Sequence, residues 1–326
     1  MRMSFPSPTP APALALNSAM LEHARPAAAY LAGLGSAASR NAMESRLQYA
    51  ARLLGADAWQ TVPWSRLNAA QVQAMLANSS DGAPATRNLM LAALRGVARA
   101  AWRMGVMDSD TYARIRDVQK VNGSRLPTGR YVDPLERAKL IGSAKEFEGA
   151  SSSAAAAARD TAALALAMGT GMRREEICRL KLDDITERGA DMFVLRVNGK
   201  RNKQREVFVQ NGALRALRAW LDLRGDAPGC LVCRVLKGGH VQHELFLSPA
   251  ALHKRLQSIT ERADLDGATG WHDFRRSVIS DMLEQGTDIA VVAQLVGHAD
   301  VRTTAAYDRR PRSARAAAAA KVSVPY

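Results

Sequence analysis

Between Trp271 and Tyr307 the chain reads WHDFRRSVISDMLEQGTDIAVVAQLVGHADVRTTAAY, and four of its side chains suit work on a phosphate ester: His272, Arg275, His298 and Tyr307. A guanidinium grips phosphate oxygens through paired, charge-assisted hydrogen bonds. A phenol oxygen can attack phosphorus and hold it as a covalent ester, and an imidazole can take or give the proton that such a step moves. Histidine and arginine three residues apart share one face of a helix.

Two further cations precede them. Arg173, in TGMRREEI, follows Gly169 and Gly171 at a predicted helix start, where backbone N–H groups and the helix dipole favour an anion. Lys200, in NGKRNK, falls in a predicted hairpin loop. Taken singly, each has an ordinary reading: a surface arginine, a solvated lysine in a turn, a structural histidine near a helix end. Tyr307 has rivals too, with Tyr326 terminal, Tyr131 in a predicted linker and Tyr30, Tyr49 and Tyr112 in the N-terminal region.

The elements that must carry these groups are largely helical. Met43, Leu47, Ala50 and Leu54 keep helical spacing up to Gly55, and a short helix is predicted after Asn68. A long helix follows, with Met90, Leu94, Val97, Ala101 and Met104 as its apolar stripe. Arg95, Arg99 and Arg103 repeat every fourth residue on another face, either a solvated basic surface or a track for a DNA backbone. SDTYARIRDVQKV closes this small helical domain, predicted over 36–119, after an unstructured Pro- and Ala-rich arm over 1–35. Residues 120–133, with Gly and Pro but no periodicity, read as a linker.

Asp133 and Pro134 are a helix cap and a first-turn proline. The Ser/Ala run at 151–158 reads as a flexible loop leading into a buried helix. The period then shortens: MFVLRV and REVFV are strands around the NGKRNKQ loop, and with the segment at Asp184 and Ile185 they predict a three-stranded antiparallel sheet. Helices return at Ala213–Leu223 and after Ser248 and Pro249, flanking a second hairpin that turns on Gly238 and Gly239. HDFRRSVISDML places Phe274, Val278 and Met282 inward, which draws Arg275 toward the interior edge and leaves Arg276 nearer the surface.

Composition narrows the partner. A net charge of +14 and a pI near 10.2 attract an anionic polymer or surface. No apolar run has the length of a membrane span, and the basic residues are spread over several helices, so nucleic acid is the better match. The N-terminus lacks the pattern of a signal peptide, and three cysteines are too few for a disulfide framework, which fits a reducing cytoplasm. Cys230, Cys233, His240 and His243 spell C-x-x-C then H-x-x-H, but residues three apart on a strand point to opposite faces, so no zinc or other metal site is expected.

Read together, TGMRREEI, NGKRNK, HDFRRS and LVGHADVRTTAAY resemble the tyrosine recombinases, the phage-integrase-like site-specific recombinases. That family's pattern runs Thr-Gly-Leu-Arg-x-x-Glu, Gly-Lys-x-x-Lys in a hairpin, His-x-x-Arg, Leu-Gly-His, and a tyrosine nine residues later, as His298 and Tyr307 are spaced here. Met172, Val296 and Arg276 depart from it, and none removes a reacting group.

The resemblance implies a mainly α fold with a small antiparallel β-sheet (α+β). A helical core-binding domain would precede a catalytic domain over 134–311 and a tail helix over 312–326. It implies strand cleavage and rejoining through a 3′-phosphotyrosyl bond by Arg173, Lys200, His272, Arg275, His298 and Tyr307, with Glu176 orienting the site. No cofactor, metal or nucleotide is implied. The partners would be double-stranded DNA bearing specific sites and further copies of the chain, as a tetramer on the nucleoid. Relaxation of supercoils in the manner of a type IB topoisomerase, or DNA binding by a catalytically silent regulator, are the alternative activities.

Overall fold

The computed structural model describes residues 25–79, 82–123, 129–146, 153–199, 204–298 and 300–307. Contacts divide the chain into two units, Met1–Pro127 and Thr128–Tyr326.

In the first unit, helices α1 (Arg25–Ala32), α2 (Ala37–Leu53), α3 (Ala69–Asn78), α4 (Pro84–Arg103) and α5 (Ser109–Asp117) enclose a core that includes Leu47, Trp64, Met90, Leu94, Val97 and Ile115. α3 begins with a capping box in which Asn68 and Gln71 satisfy each other's backbone N–H. Composition predicts an unstructured arm through residue 35, and α1 departs from that. Ala27 and Leu31, four apart, are buried on one face of α1, and the ring of Tyr30 lies so close to Gly96 of α4 that a Cβ there would stand 2.2 Å from it. An apolar pair at helical spacing outweighed a Pro/Ala-rich composition. The rest of the predicted arm, residues 1–24, lies outside the described residues.

The basic row on α4 is also less free than its spacing suggests. Arg95 donates to the Val118 carbonyl and Arg99 Nε to the Tyr112 hydroxyl at 3.3 Å, so two of its members close α5 onto α4. Met104, predicted in the apolar stripe, is 38% exposed at the helix end.

The second unit opens with α6 (Pro134–Lys145), which Asp133 caps as the sequence predicts, with Glu136 completing a reciprocal capping box. α7 (Ala154–Thr170) follows and is buried at most positions, including Ala162, Leu164 and Leu166. Its packing on α9 (Asn211–Arg224) is close: a Cβ at Gly169 would stand 2.9 Å from that of Ala213. Gly171, at φ 63°, ends α7 in a left-handed turn, and the short α8 (Arg174–Arg179) begins just beyond.

Strands β1 (Ile185–Glu187), β2 (Phe193–Asn198) and β3 (Gln204–Val209) make the predicted antiparallel sheet in the order β1-β2-β3, with Phe193 opposite Val209 and Asn198 opposite Gln204. A second hairpin pairs β4 (Cys233–Val235) with β5 (Val241–Phe246), and Gly238 and Gly239 supply the positive φ of its turn. Cys233 is buried and its thiol donates to the Cys230 carbonyl, while His243 Nε2 lies 2.8 Å from the Arg224 carbonyl.

α10 (Pro249–Arg262), α11 (Trp271–Glu284), α12 (Ile289–Val296) and α13 (Val301–Ala305) complete the unit. α11 and α12 share a small core of Ile279, Leu283, Val292 and Val296, against which Tyr307 packs. The fold is mainly α with small antiparallel sheets. Lys200 and the predicted tail at 312–326 lie outside the described residues.

Candidate active site

α11 positions the first pair. It starts where the Asp273 carboxylate accepts from Gly270 N at 2.8 Å, and Phe274 and Val278 bury its inner face. Arg275 shares that face and is 1% exposed; its Nη1 donates to the Gly171 carbonyl at 2.7 Å. The turn that ends α7 therefore sits against α11. Arg275 Nη2 is buried with no partner among the described residues. Burial, and then the neighbouring Arg173 guanidinium, push the Arg275 pKa down to about 9. A buried guanidinium held beside another cation is costly unless an anion joins them.

Arg173 caps α8 and reaches back across it, with Nη1 2.8 Å from Glu176 Oε1 and Nη2 donating to the Gly297 carbonyl at 3.2 Å. Glu176 is buried and receives a second arginine, Arg205 of β3, whose Nη1 and Nη2 meet its two oxygens at 3.0 and 2.8 Å. Burial alone would raise the Glu176 pKa, but hydrogen bonds and charge from Arg205 and Arg173 outweigh it and hold the carboxyl at about 2. One carboxylate thus orients two guanidiniums. With Arg275 the cluster keeps an excess of positive charge.

Gly297 closes α12 with φ 71°, and a Cβ there would lie 2.9 Å from the Arg205 guanidinium. The next residue, His298, is turned by the buried Thr304, whose hydroxyl lies 2.8 Å from Nδ1. Burial and then the charges of Arg275, Arg173, His272 and Arg205 push the His298 pKa down to about 4. The His272 pKa is lowered as well, by burial and then by Arg276 and Arg275. Both shifts favour the neutral imidazole.

Tyr307 stands among them. Its hydroxyl is 3.2 Å from His272 Nε2, and its ring stacks on His298 with centroids 6.1 Å apart and planes at 20°. Ser280 of α11 donates to its carbonyl at 3.3 Å. The Arg276 guanidinium carbon lies 5.4 Å from the centre of the Tyr307 ring.

The structure therefore brings Arg173, His272, Arg275, His298 and Tyr307 together, while Lys200 falls outside the described residues. Sequence reading missed Arg205 and Thr304. For Arg205 a signal existed: it alternates with Val207 and Val209, so it shares the face that β3 turns to the core. For Thr304, on a short helix with exposed neighbours, there was none. What the arrangement can do is hold a tetrahedral anion among guanidiniums and imidazoles, with a phenol poised to attack it.

A sequence model of the phage integrase family matches residues 137–312. The chain is 32% identical over 247 residues to the tyrosine recombinase XerC of Azotobacter vinelandii, covering 75% of this chain and 76% of the relative. It is 32% identical over 227 residues to the tyrosine recombinase XerD of Mycobacterium leprae, covering 67% of each. Among solved structures, a lambda integrase dimer bound to a COC' core site superposes with a TM-score of 0.63 at 16% identity, over 90% of this chain and 77% of that one. The XerH site-specific recombinase in a pre-cleavage complex with its difH substrate gives 0.59 at 22% identity, over 78% and 70%. At these identities the likeness is one of fold.

Proposed function

We infer that this chain, which belongs to the phage integrase family, is a site-specific DNA recombinase that cuts and rejoins strands through a 3′-phosphotyrosyl intermediate. The observation that carries the roles of its residues is the meeting of Tyr307 Oη with His272 Nε2 beside Arg275, a buried cation whose Nη2 has no partner among the described residues.

In this reading the scissile phosphate sits between Arg173 and Arg275, and Arg275 Nη2 donates to a nonbridging oxygen. Tyr307 Oη attacks phosphorus as its proton passes to His272 Nε2. The P–O5′ bond breaks as P–Oη forms, and the leaving oxygen takes a proton to become a 5′-hydroxyl, a step assigned to Lys200 on the sequence pattern. With the Thr304 hydroxyl donating to Nδ1, His298 carries its proton on Nε2 and offers it to another phosphate oxygen. Preorganised donors of this kind are each worth on the order of 3 kcal/mol of transition-state stabilisation. Rejoining reverses these steps with a 5′-hydroxyl from a second duplex, so the phosphodiester energy is kept in the covalent bond.

Two duplexes with two cleavage points each call for four active sites, hence a tetramer on double-stranded DNA in the nucleoid of the cytoplasm. The tail at 312–326 would join neighbouring copies. The test is strand exchange between two labelled duplexes carrying a site recovered by covalent capture from a random library. Full-length protein should yield recombinants, and a chain lacking 312–326 should bind duplex but not exchange. Relaxation of supercoils without exchange would point instead to a topoisomerase.

A further inference from the structure

The segment that enters the second unit does more than connect. Arg130 N donates to Asp273 Oδ1 at 3.2 Å, Val132 N to Ser277 Oγ at 2.8 Å, and the Tyr131 hydroxyl to Asp281 Oδ1 at 2.6 Å. Asp273, Ser277 and Asp281 are four residues apart, so they form one line along α11, the helix that carries His272 and Arg275. Arg130 Nη2 also donates to Thr269 at 2.6 Å, and Arg137 Nη1 meets Asp281 Oδ2 at 2.6 Å. A sequence expectation of a plain linker through residue 133 does not anticipate a strap tied along the catalytic helix.

At the start of the strap Gly129 lies against Arg276. A Cβ at Gly129 would stand 2.5 Å from Asp273 Oδ1 and 3.1 Å from Arg276 Nε, and its φ of 119° is one that other residues rarely adopt. Arg276 Nε is buried and has no hydrogen-bond partner among the described residues. Its guanidinium instead faces the Tyr307 ring. A cation over a phenol ring is attracted to its π face, which holds the ring against it.

We propose that Arg276 is a positioning residue that holds Tyr307 for attack, and that the strap from Gly129 to Val132 fixes Arg276 in place. The proposal rests on the recombinase reading and deepens it.

The test uses the full-length chain on a nicked suicide duplex, with single-turnover adduct formation followed across pH and duplex affinity measured in parallel. Arg276→Met, which keeps bulk and loses the cation, should slow adduct formation roughly tenfold with affinity little changed, and Arg276→Lys should recover much of the loss. The acidic limb of the profile should also move to higher pH in Arg276→Met and not in Arg276→Lys. His272 is held low by burial and then by Arg276, Arg275 and Arg173 against Asp273, and Tyr307 is faced by His272, His298, Arg275 and Arg276. Gly129→Ala should reproduce the rate loss without the shift in pH, since the cation remains. Adduct formation by wild type but equal rates and profiles in Arg276→Met would overturn the role of Arg276, and a wild-type rate in Gly129→Ala would overturn that of the strap. A wild type that forms no adduct would refute the recombinase reading itself.

Discussion

Glu176 accepts hydrogen bonds from Arg173 and Arg205, and the rest of the cationic site leans on that carboxylate. Its pKa falls from an ordinary 4.5 to about 2, so its ionised form favours the folded state. That contribution, roughly 3 kcal/mol from the size of the shift, is fully present above pH 4.5 and is lost as pH falls toward 2. Chemical denaturation of wild type should therefore weaken steeply over that interval, and Glu176→Gln should show a flatter profile with lower stability near pH 7; parallel profiles would contradict the linkage.

His298 supplies a second residue-scale prediction. In DNA-free protein its ring resonances, followed by NMR, should titrate near pH 4, well below an ordinary imidazole, and Thr304→Val should perturb their shifts. A midpoint at 6.5 would mean the ring is not enclosed as described. The histidines, two arginines and the tyrosine were legible because their types and order form a pattern. Alternation on β3 places Arg205 on the core-facing side, but its partner there, the Glu176 carboxylate, lies on another element and was not legible.

At the scale of elements, the site rests on two left-handed glycine turns, Gly171 closing α7 and Gly297 closing α12, each lending a carbonyl to an arginine. Gly297→Ala should cost about 1 to 2 kcal/mol from backbone conformation alone. Because the new Cβ would lie 2.9 Å from the Arg205 guanidinium, cleavage should fall further than stability explains. Thermal melts and adduct yields on the same samples separate the two effects; unchanged cleavage would show that Arg205 yields freely.

Most elements were readable from periodicity and caps: α11 from its apolar spacing, α6 from Asp133 and Pro134, the two hairpins from alternation and glycines. α1 was masked by its composition. The turns carrying Trp59 and Trp64 were not anticipated either, since a three-residue helix is too short to show a period, although both indoles are buried and Trp64 Nε1 bonds the Trp59 carbonyl at 2.7 Å.

For the whole molecule, charge sets the terms of binding. With a net charge of +14, affinity for duplex should fall steeply with salt, and six to ten phosphate contacts would give a log–log slope on the order of −5 to −9. A shallow slope would mean that few of the cations touch the backbone. The charge was plain in the sequence and a two-domain division was expected from it, while the residues that fill each core, one around α4 and one around α7, needed the contacts themselves. What sequence could not give was convergence: Arg173, Arg275 and His298 come from three separate stretches and meet only because the α7 and α12 turns pack against α11.

The most direct measurement is mass spectrometry of the peptide left on DNA after full-length protein is trapped on a nicked duplex and digested. The expected result is a nucleotide esterified to Tyr307 through its 3′-phosphate, and no adduct from Tyr307→Phe despite retained binding. A nucleotide on any other residue, or an adduct that survives Tyr307→Phe, would contradict it.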